Sequence, residues 1–268
     1  MVKKINELKR ILTEMGSVLV AYSGGVDSAF LMKVAYDTLG DKAVGVIASS
    51  ETYPSSEIDE AIGLAHRIGF RLIEIRTEEL QNAEFVRNAP DRCYHCKKEL
   101  VLKIKEIAAS EGLAWVAHGA NVDDLGDYRP GQKAAAELGA RAPLQEAGFT
   151  KAEIREISKN MGLPTWDKPS LACLSSRFPY GTPITQEALV QIDKSENLLR
   201  ELGFRQVRVR HHDTIARIEV EESELDRLLD AELRSRIAAG FKEFGYLYVT
   251  VDIEGYRTGS MNAVLKDK

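Results

Sequence analysis

The fold is decided by Ser17-Val18-Leu19-Val20-Ala21-Tyr22-Ser23-Gly24-Gly25-Val26-Asp27-Ser28, which is followed by Ala29-Phe30-Leu31-Met32-Lys33-Val34-Ala35. The first apolar run predicts a strand, and the apolar residues at helical spacing after the turn predict a helix. Two adjacent glycines in the turn let the backbone approach an anion closely. The helix N-terminus presents unpaired N–H groups and the positive end of the helix dipole. The stretch therefore predicts a phosphate-binding turn.

The turn lacks the Gly-Lys-Ser/Thr ending of a Walker A loop and the glycine spacing of a dinucleotide-binding fingerprint. It resembles the PP-loop of ATP pyrophosphatases, enzymes that split ATP between the α- and β-phosphates and leave AMP on the group being activated. The resemblance implies ATP and Mg²⁺ as cofactors. Asp27 would help hold the magnesium, and Ser23, Gly24, Gly25 and Ser28 would bind the pyrophosphate. The alternative is a glycine-containing turn with no ligand.

Composition limits the class of protein. The 268 residues are 44% apolar, enough for one large or two modest cores, and no apolar run approaches the ~20 residues that cross a bilayer. The N-terminus predicts an amphipathic helix in place of a signal sequence, so we expect a soluble, cytoplasmic protein with no membrane partner. A net charge of −5 argues against broad nucleic-acid binding and favours a small-molecule substrate.

Apolar, β-rich runs alternate with helical patterns along the first half of the chain. The runs predict strands at 18–22, 43–48, 71–75 and 113–117, and the patterns between them predict helices at 29–39, 55–68 and 97–110. This alternation predicts an α/β fold with a doubly wound parallel sheet, in which ligands bind beyond the carboxyl ends of the strands.

Residues at those predicted strand ends are candidate ATP contacts. They are Ala21, Ser49, Gly119, Asn121 and Asp124. Asn121 and Asp124 lie where adenosine or magnesium contacts would fall, and the alternative for both is that they cap their own loop.

The second half of the chain changes in pattern. Thr150 and Glu153 predict a capping box at the start of a helix. Residues 164–183 contain four prolines and predict a long ordered loop over the active site. Beyond it we predict helices at 187–202, 223–229 and 232–239 and strands at 206–211, 215–220 and 246–253, which form a small α+β domain. We therefore expect a PP-loop domain at 1–180 and a C-terminal domain at 181–268.

Three cysteines make a disulfide framework improbable in a cytoplasmic protein. Cys93 and Cys96 form a Cys-x-x-Cys pair, which can bind one metal or cluster, and Cys173 lies far along the chain. Three interpretations stay open: unrelated buried thiols, a zinc site with His95 as a ligand, and an iron–sulfur cluster held by three cysteines. Such a cluster would leave one iron without a cysteine and able to hold an extra sulfide.

Two longer stretches carry a closer resemblance. Residues 142–155 read APLQEAGFTKAEIR, and residues 162–181 read GLPTWDKPSLACLSSRFPYG. Together with the PP-loop they resemble the LarE family of ATP-dependent sulfur transferases. The resemblance implies the adenine nucleotide alpha hydrolase-like fold and a step in making the nickel-pincer nucleotide cofactor. In that step a carboxylate of pyridinium-3,5-biscarboxylic acid mononucleotide is adenylylated and then converted to a thiocarboxylate.

The same resemblance implies roles for residues in the second half. Cys173 occupies the position of the family's nucleophile and sulfur donor. Arg177 would hold phosphate and favour the thiolate, and Glu196, Arg208 and Arg210 correspond by position to family residues near the substrate phosphate. The alternative for the two arginines, which alternate on a predicted strand, is a solvated strand face.

The source of the sulfur is open between two interpretations. In sacrificial members of the family the cysteine loses its own sulfur and becomes dehydroalanine. The additional Cys93 and Cys96 depart from that pattern and resemble three-cysteine members, in which the triad, here completed by Cys173, binds a 4Fe-4S cluster. The co-occurrence of the three cysteines favours the cluster. The family also implies a homo-oligomer.

Two other classes remain as alternatives. PP-loop enzymes that thiolate tRNA can also hold a cluster on three cysteines, but the acidic balance of this chain counts against them. An amidotransferase-type, AMP-forming synthetase would need an ammonia source, and no glutaminase-like segment is present in the sequence.

Overall fold

The structure is a computed structural model that describes residues 2–126, 130–169, 172–257 and 260. The strands are β1 Val18–Ala21, β2 Ala43–Ser49, β3 Leu72–Arg76, β4 Trp115–His118, β5 Val207–His212, β6 Ile215–Val220 and β7 Tyr248–Val251. The α-helices are α1 Val2–Met15, α2 Val26–Leu39, α3 Ser55–Ile68, α4 Ala83–Val86, α5 Arg92–Ser110, α6 Pro130–Glu137, α7 Pro143–Glu146, α8 Lys151–Asn160, α9 Gln186–Glu201 and α10 Ala231–Glu243.

The chain divides into two units. One comprises Met1–Ser50, Ser55–Glu79 and Asp91–Leu171, and the other comprises Glu51–Pro54, Leu80–Pro90 and Ala172–Lys268. Most of the second unit lies after residue 171, and the two short segments from earlier in the chain belong to it as well. The division into domains at 1–180 and 181–268 stays a prediction.

The first unit is built on a parallel sheet with the strand order β3-β2-β1-β4. Val20 of β1 lies opposite Gly45 of β2 on one side and Ala117 of β4 on the other. This arrangement confirms the predicted α/β fold. The strand order reverses between β1 and β4, and in such sheets ligands bind beyond the carboxyl ends of the strands at that point.

The core of the first unit explains why the sequence predicted β1 so clearly. Val18, Leu19 and Val20 have no exposed surface, because helices cover the sheet. A strand buried on both faces is a continuous apolar run without alternation. In α1, Leu8 and Leu12 complete an amphipathic helix whose apolar side joins the same core.

The second unit holds a smaller mixed sheet in the order β5-β6-β7, with β5 antiparallel and β7 parallel to β6. Val207 and Val209 of β5 pack in an apolar cluster with Phe241 of α10. Because side chains alternate along a strand, Arg208 and Arg210 lie on the opposite face of the sheet. The α+β character predicted for the C-terminal region is confirmed.

Three predicted elements differ from the structure. The helix predicted at 97–110 begins earlier, at Arg92, because the polar residues before Lys97 include no glycine or proline that would stop it. The helix predicted at 223–229 is a 3-10 helix, Glu222–Leu229. The predicted loop at 164–183 contains a 3-10 turn at Leu174–Arg177, and its residues 170 and 171 lie outside the described residues.

In the part of the chain that the structure describes, no helix is both long enough and apolar enough to cross a membrane.

Candidate functional site

The predicted phosphate-binding turn joins β1 to α2. Gly24 has a φ of +67°, and Gly25 is the N-cap of α2 without a side-chain capping bond. The hydroxyl of Ser28 accepts a hydrogen bond from the Ser23 N–H at 3.1 Å and lies 3.0 Å from the Ser23 hydroxyl. The two serines therefore close the turn, and no side chain of the N-cap residue occupies the N–H groups at the start of α2.

The lack of space around Gly24 explains why the turn needs glycine there. A Cβ atom at this position would lie 2.5 Å from the Cβ of Ala61 and 3.0 Å from its Cα. The turn therefore packs directly on α3, and glycine is required both for the positive φ and for this close approach.

We expect Gly24→Ala to lower the free energy of unfolding by about 3 kcal/mol, because it adds an overpacked contact to left-handed backbone strain. The matched control is Gly139→Ala, where φ is +74° and no atom of the described residues lies within 4 Å of the added Cβ. That control should lose only the backbone component, about 1 kcal/mol. Denaturant unfolding measures both, and equal losses in the two variants would contradict the packing account.

The loop after β4 also approaches the start of α2. A Cβ added to Gly119 would lie 2.9 Å from the Ser28 nitrogen and 3.1 Å from the Asp27 carbonyl carbon. The structure thus brings together the loops that follow β1 and β4, as the sheet topology requires.

The loop after β4 is organised by its own hydrogen bonds. The Asn121 N–H donates to Asp124 at 2.9 Å, and Asn121 Oδ1 accepts from the Asp123 N–H at 3.0 Å. The side chain of Gln145 donates to the Asn121 carbonyl at 2.9 Å. These bonds match the loop-capping role for Asn121 and Asp124, and a contact with nucleotide stays a prediction for both.

The other two candidate contacts lie at strand ends. Ala21 and Ser49 are the last residues of β1 and β2, and both are half-buried. The Ser49 hydroxyl donates to the Ile75 carbonyl at 3.3 Å.

Asp27 pairs with a residue that sequence reasoning did not select. Its Oδ2 accepts from Lys151 Nζ at 2.5 Å, while its Oδ1 is buried and has no hydrogen-bond partner among the described residues. A buried carboxylate oxygen without a donor fits a cation ligand, and Mg²⁺ commonly uses one or two carboxylates together with substrate phosphates. Asp27 therefore fits the predicted magnesium ligand.

Lys151 is held on a well-capped helix. It is the first residue of α8, where Thr150 and Glu153 form the predicted capping box. Lys4 binds Glu153 at 2.6 Å, and hydrogen bonds from Lys4 and Thr150 lower the pKa of Glu153 to about 2. The only sequence signal for Lys151 was its place directly after the cap in the stretch 142–155.

His118 ends β4 beside this site. Burial, and then the positive charge of Lys97, lower the pKa of His118 to about 4. Asp124 acts in the opposite direction but is outweighed. At neutral pH the imidazole is therefore uncharged.

This shift predicts an acid-sensitive fold. Between pH 6.5 and about 4 the unfolded chain binds a proton at His118 that the folded chain does not, so stability is complete above this window and falls as the pH drops through it. The expected loss is on the order of 2 kcal/mol. Urea unfolding across the window, without magnesium, should show this slope in the wild type and a reduced slope in His118→Gln; equal slopes would contradict the assignment.

In the second unit, Arg177 and Glu196 form an ion pair with no exposed surface. Arg177 Nε and Nη2 donate to the two Glu196 carboxylate oxygens at 2.7 and 2.9 Å. Burial alone would raise the pKa of Glu196, but the charge and hydrogen bonds of Arg177 outweigh it and the pKa is lowered. Glu196 also accepts from the Val209 N–H at 3.0 Å and from Arg200 at 3.0 Å.

Arg177 holds the backbone that carries Cys173. Its Nη1 donates to the carbonyls of Ala172 and Cys173 at 2.9 and 3.1 Å and to the Ser176 hydroxyl at 2.8 Å. The Leu174 N–H donates to the Thr52 carbonyl at 2.8 Å. The half-buried Cys173 thus lies on a backbone fixed from both sides, and the Arg177 guanidinium is largely occupied by these contacts.

The two strand arginines are buried, which excludes a solvated strand face. Arg208 is 3% exposed and Arg210 is 5% exposed. Arg210 donates to both carboxylate oxygens of the buried Glu219, at 2.9 and 2.6 Å, and to the Ser176 carbonyl at 3.0 Å. Burial, followed by the nearby charge of Arg177, lowers the pKa of Arg208 to about 10.

Breaking the buried pair should be severe. We expect Glu196→Gln to lower the unfolding free energy by about 3–5 kcal/mol, because it leaves the Arg177 guanidinium buried without its carboxylate. In the double variant Glu196→Gln/Arg177→Met, the second substitution should lower the unfolding free energy much less than Arg177→Met does alone. Glu254→Gln, which breaks an exposed pair with Arg257, is the control and should change nothing measurable. Strict additivity in the double variant would contradict the coupling.

The Cys-x-x-Cys pair lies in the first turns of the helix α5. Cys93 is exposed, and Cys96 is half-buried with its Sγ 3.6 Å from Glu79 Oε1. Positions three apart share one face of a helix, so the two thiols suit a common ligand. Within the described ranges, however, no three His, Cys, Asp or Glu side chains are grouped as metal ligands. The 4Fe-4S cluster on Cys93, Cys96 and Cys173 therefore stays a prediction.

The parallel sheet and the Ser23–Ser28 turn at its switch point define a PP-loop protein of the ATP pyrophosphatase superfamily. The chain is 24% identical to one of the subunits of the glutamine-hydrolysing GMP synthase of Archaeoglobus fulgidus, over 73% of this chain and 69% of that one. No family model matches the chain.

Relatives of higher identity cover almost the whole chain. It is 44% identical to an uncharacterised protein of Synechocystis over 98% of both chains. It is 40% identical to the pyridinium-3,5-bisthiocarboxylic acid mononucleotide synthase of Lactiplantibacillus plantarum, over 95% of this chain and 92% of that one. The chain belongs to the LarE family of ATP-dependent sulfur transferases and is an enzyme.

Proposed function

We propose that this enzyme adenylylates a carboxylate of pyridinium-3,5-biscarboxylic acid mononucleotide with ATP and converts it to a thiocarboxylate in nickel-pincer cofactor synthesis. The observation that carries the proposal is the 40% identity, over nearly the whole chain, to a synthase named for the bisthiocarboxylic acid product. The buried Asp27 oxygen in the phosphate-binding turn, which no donor of the described residues reaches, supports the ATP chemistry.

The first half-reaction makes the carboxylate electrophilic. A substrate carboxylate oxygen attacks the α-phosphorus of ATP, the bond to the bridging oxygen breaks, and pyrophosphate leaves. The N–H groups at the start of α2 bind the phosphates, and Asp27 would hold the magnesium, which neutralises phosphate charge. The product is a mixed anhydride with AMP, which a thiolate can attack.

The second half-reaction delivers sulfur either from Cys173 itself or from a cluster that Cys173 helps to hold. Where the Cys173 thiol is the donor, its thiolate attacks the acyl carbon, AMP leaves, and a thioester forms. Loss of the Cα proton and cleavage of the Cβ–S bond then release the thiocarboxylate and leave dehydroalanine. Arg177 orients the attacking residue by holding its backbone carbonyl.

The buried charges of the second unit support binding of the substrate phosphate. Among its described residues, three buried guanidinium groups accompany two buried carboxylates, so a bound phosphate would meet an excess of positive charge. The residues are Arg177, Arg208 and Arg210, with Glu196 and Glu219. Burial and then the charge of Arg177 lower the pKa of Arg208, and a phosphate beside Arg208 would offset both by favouring its charged form.

For the sulfur source we propose the cluster held by Cys93, Cys96 and Cys173, with sacrifice of the Cys173 sulfur as the alternative. The test is iron and sulfide content of protein prepared without oxygen, for wild type and the three single Cys→Ala variants. About four irons per chain, lost in each variant, would support the cluster. Absence of iron would contradict it, and a loss of ~34 Da from the protein after one turnover would then identify sacrifice.

The proposed activity is tested by ATP–pyrophosphate exchange that depends on the pyridinium biscarboxylate nucleotide. The control substrate is the same nucleotide with both carboxylates replaced by amides. Exchange with the acid and none with the amide supports the proposal. Exchange that requires tRNA instead, with binding that weakens steeply with salt, would contradict it in favour of tRNA thiolation.

A further inference from the structure

We propose that Cys93 and Cys96 form a redox-active pair, which closes to a disulfide by exchange with a small-molecule disulfide such as oxidised glutathione. Both residues lie on α5 in the first unit. A Cys-x-x-Cys motif among alternating strands and helices is typical of such pairs. The disulfide and metal ligation by the same two thiols exclude each other, so oxidation removes two of the three ligands of the predicted cluster.

The start of α5 suits closure of the pair. Cys93 lies in the first turn, and Cys96 follows three residues later on the same face of the helix. The Tyr94 N–H donates to the Asp91 carbonyl at 2.8 Å, which is the hydrogen bond of a 3-10 helix. Side chains three residues apart eclipse each other in a 3-10 helix. Extending this geometry by two residues therefore brings the two sulfur atoms toward bonding distance.

Exposure sets the order of the two exchange steps, because Cys93 is exposed and Cys96 is half-buried. The Cys93 sulfur attacks one sulfur of oxidised glutathione, the S–S bond breaks, and one reduced glutathione leaves. The Cys96 sulfur then attacks the Cys93 sulfur of the mixed disulfide, and the second reduced glutathione leaves. The two protein thiols lose two electrons and two protons, which the two glutathione molecules carry away.

A buried carboxyl group contacts the second thiol of the pair. Glu79 is 1% exposed, and its Oε1 accepts from the Cys96 thiol at 3.6 Å and from the Thr77 hydroxyl at 2.9 Å. Its Oε2 is buried and has no hydrogen-bond partner among the described residues. Closing the disulfide removes the Cys96 S–H, so Glu79 keeps only one of these two donors. Because a buried carboxyl group is costly to leave without donors, Glu79 favours the reduced pair and keeps the disulfide easily reduced.

The hydrogen bonds of Glu79 also connect the pair to the ligand end of the sheet. Thr77 directly follows β3, and its N–H donates at 3.0 Å to the carbonyl of Ser49, the last residue of β2. Ser49 is one of the predicted ATP contacts. The oxidation state of Cys96 is therefore linked, through Glu79 and Thr77, to the sheet edge at which ligands are expected.

The first test equilibrates the full-length chain, reduced and treated with a chelator, in mixtures of reduced and oxidised glutathione. Remaining thiols are trapped with iodoacetamide, and the chain is analysed by mass spectrometry. We expect the Cys93–Cys96 disulfide to exceed glutathione mixed disulfides at these two cysteines by at least about tenfold, because its second step is intramolecular. Cys173→Ser is the matched control and should show the same excess.

Single replacements within the pair separate the two steps. Cys96→Ser should accumulate a mixed disulfide at Cys93. In Cys93→Ser, the half-buried Cys96 should form its mixed disulfide at least about tenfold more slowly than Cys93 does in Cys96→Ser. A wild-type pair that stays reduced at every glutathione ratio, or that forms mixed disulfides without the intramolecular bond, would overturn the inference.

The second test places Glu79→Gln in the same glutathione mixtures. An amide with one donor is less costly to bury than a carboxylate with one donor, so the equilibrium should shift toward the disulfide by at least about threefold. Glu106→Gln, at an exposed position of α5, is the control and should leave the equilibrium unchanged. An unchanged equilibrium in Glu79→Gln would overturn the role of Glu79. Neither test contains ATP or the pyridinium nucleotide, so their failure is distinguishable from failure of the proposed function.

Discussion

Cys173→Ala is expected to abolish thiocarboxylate formation while substrate-dependent ATP–pyrophosphate exchange continues. The thiol acts only after the mixed anhydride has formed, so its removal blocks the second half-reaction and not the first. The backbone around residue 173 is held by Arg177 through carbonyl oxygens, and these contacts do not depend on the side chain. Product analysis should therefore show pyrophosphate exchange near the wild-type rate and no thiocarboxylate.

Cys173→Ser is the matched control for this experiment. It keeps the size and polarity of the side chain but supplies oxygen in place of sulfur, so it should be as inactive as the alanine variant in sulfur transfer. Loss of ATP binding in Cys173→Ala would contradict the assignment, because it would place the residue in the nucleotide site.

Asp27→Asn is expected to have the opposite effect and reduce adenylylation on the order of a thousandfold. The substitution keeps the shape of the side chain but removes the charge that would hold magnesium and that pairs with Lys151. The remaining phosphate contacts, from backbone N–H groups, cannot replace the metal. Pyrophosphate exchange measures the loss, and the thiol content of the protein should be unchanged.

Asp37→Asn provides the control on the same helix. It breaks the ion pair with Lys33 at a distance from the phosphate-binding turn, and it should leave exchange at the wild-type rate. Wild-type exchange in Asp27→Asn would contradict the magnesium assignment.

The fold was predictable where local pattern and tertiary burial agree. A strand that is buried on both faces is a continuous apolar run, and β1 with its glycine turn was located on that basis. The start of α5 was not predicted, because the residues in its first turns are polar. Helices are recognised by the periodic spacing of apolar residues, which this polar segment does not show. The 3-10 helix 222–229 differs from an α-helix in hydrogen bonding, which the apolar spacing does not resolve.

The candidate site was predictable only within its motifs. Asp27 was selected because the turn has a recognisable sequence, whereas Lys151 lies 124 residues away and is joined to it only by the fold.

The same holds for the buried ion pair of the second unit. Arg177 and Glu196 were expected near a phosphate, but their pairing depends on burial that no single sequence reveals. The burial of His211 against Tyr246 and Phe178 also has no signal in the sequence, because it depends on both faces of β5 being covered.

The most direct test of the proposed chemistry is the fate of the carboxylate oxygen. Substrate with ¹⁸O in both carboxylates is incubated with wild-type enzyme, ATP and magnesium for one turnover, and the AMP released is weighed by mass spectrometry. Adenylylation followed by attack of sulfur transfers one carboxylate oxygen to the phosphate, so AMP should be about 2 Da heavier than unlabelled AMP. Unlabelled AMP accompanied by thiocarboxylate product would contradict an acyl-adenylate intermediate.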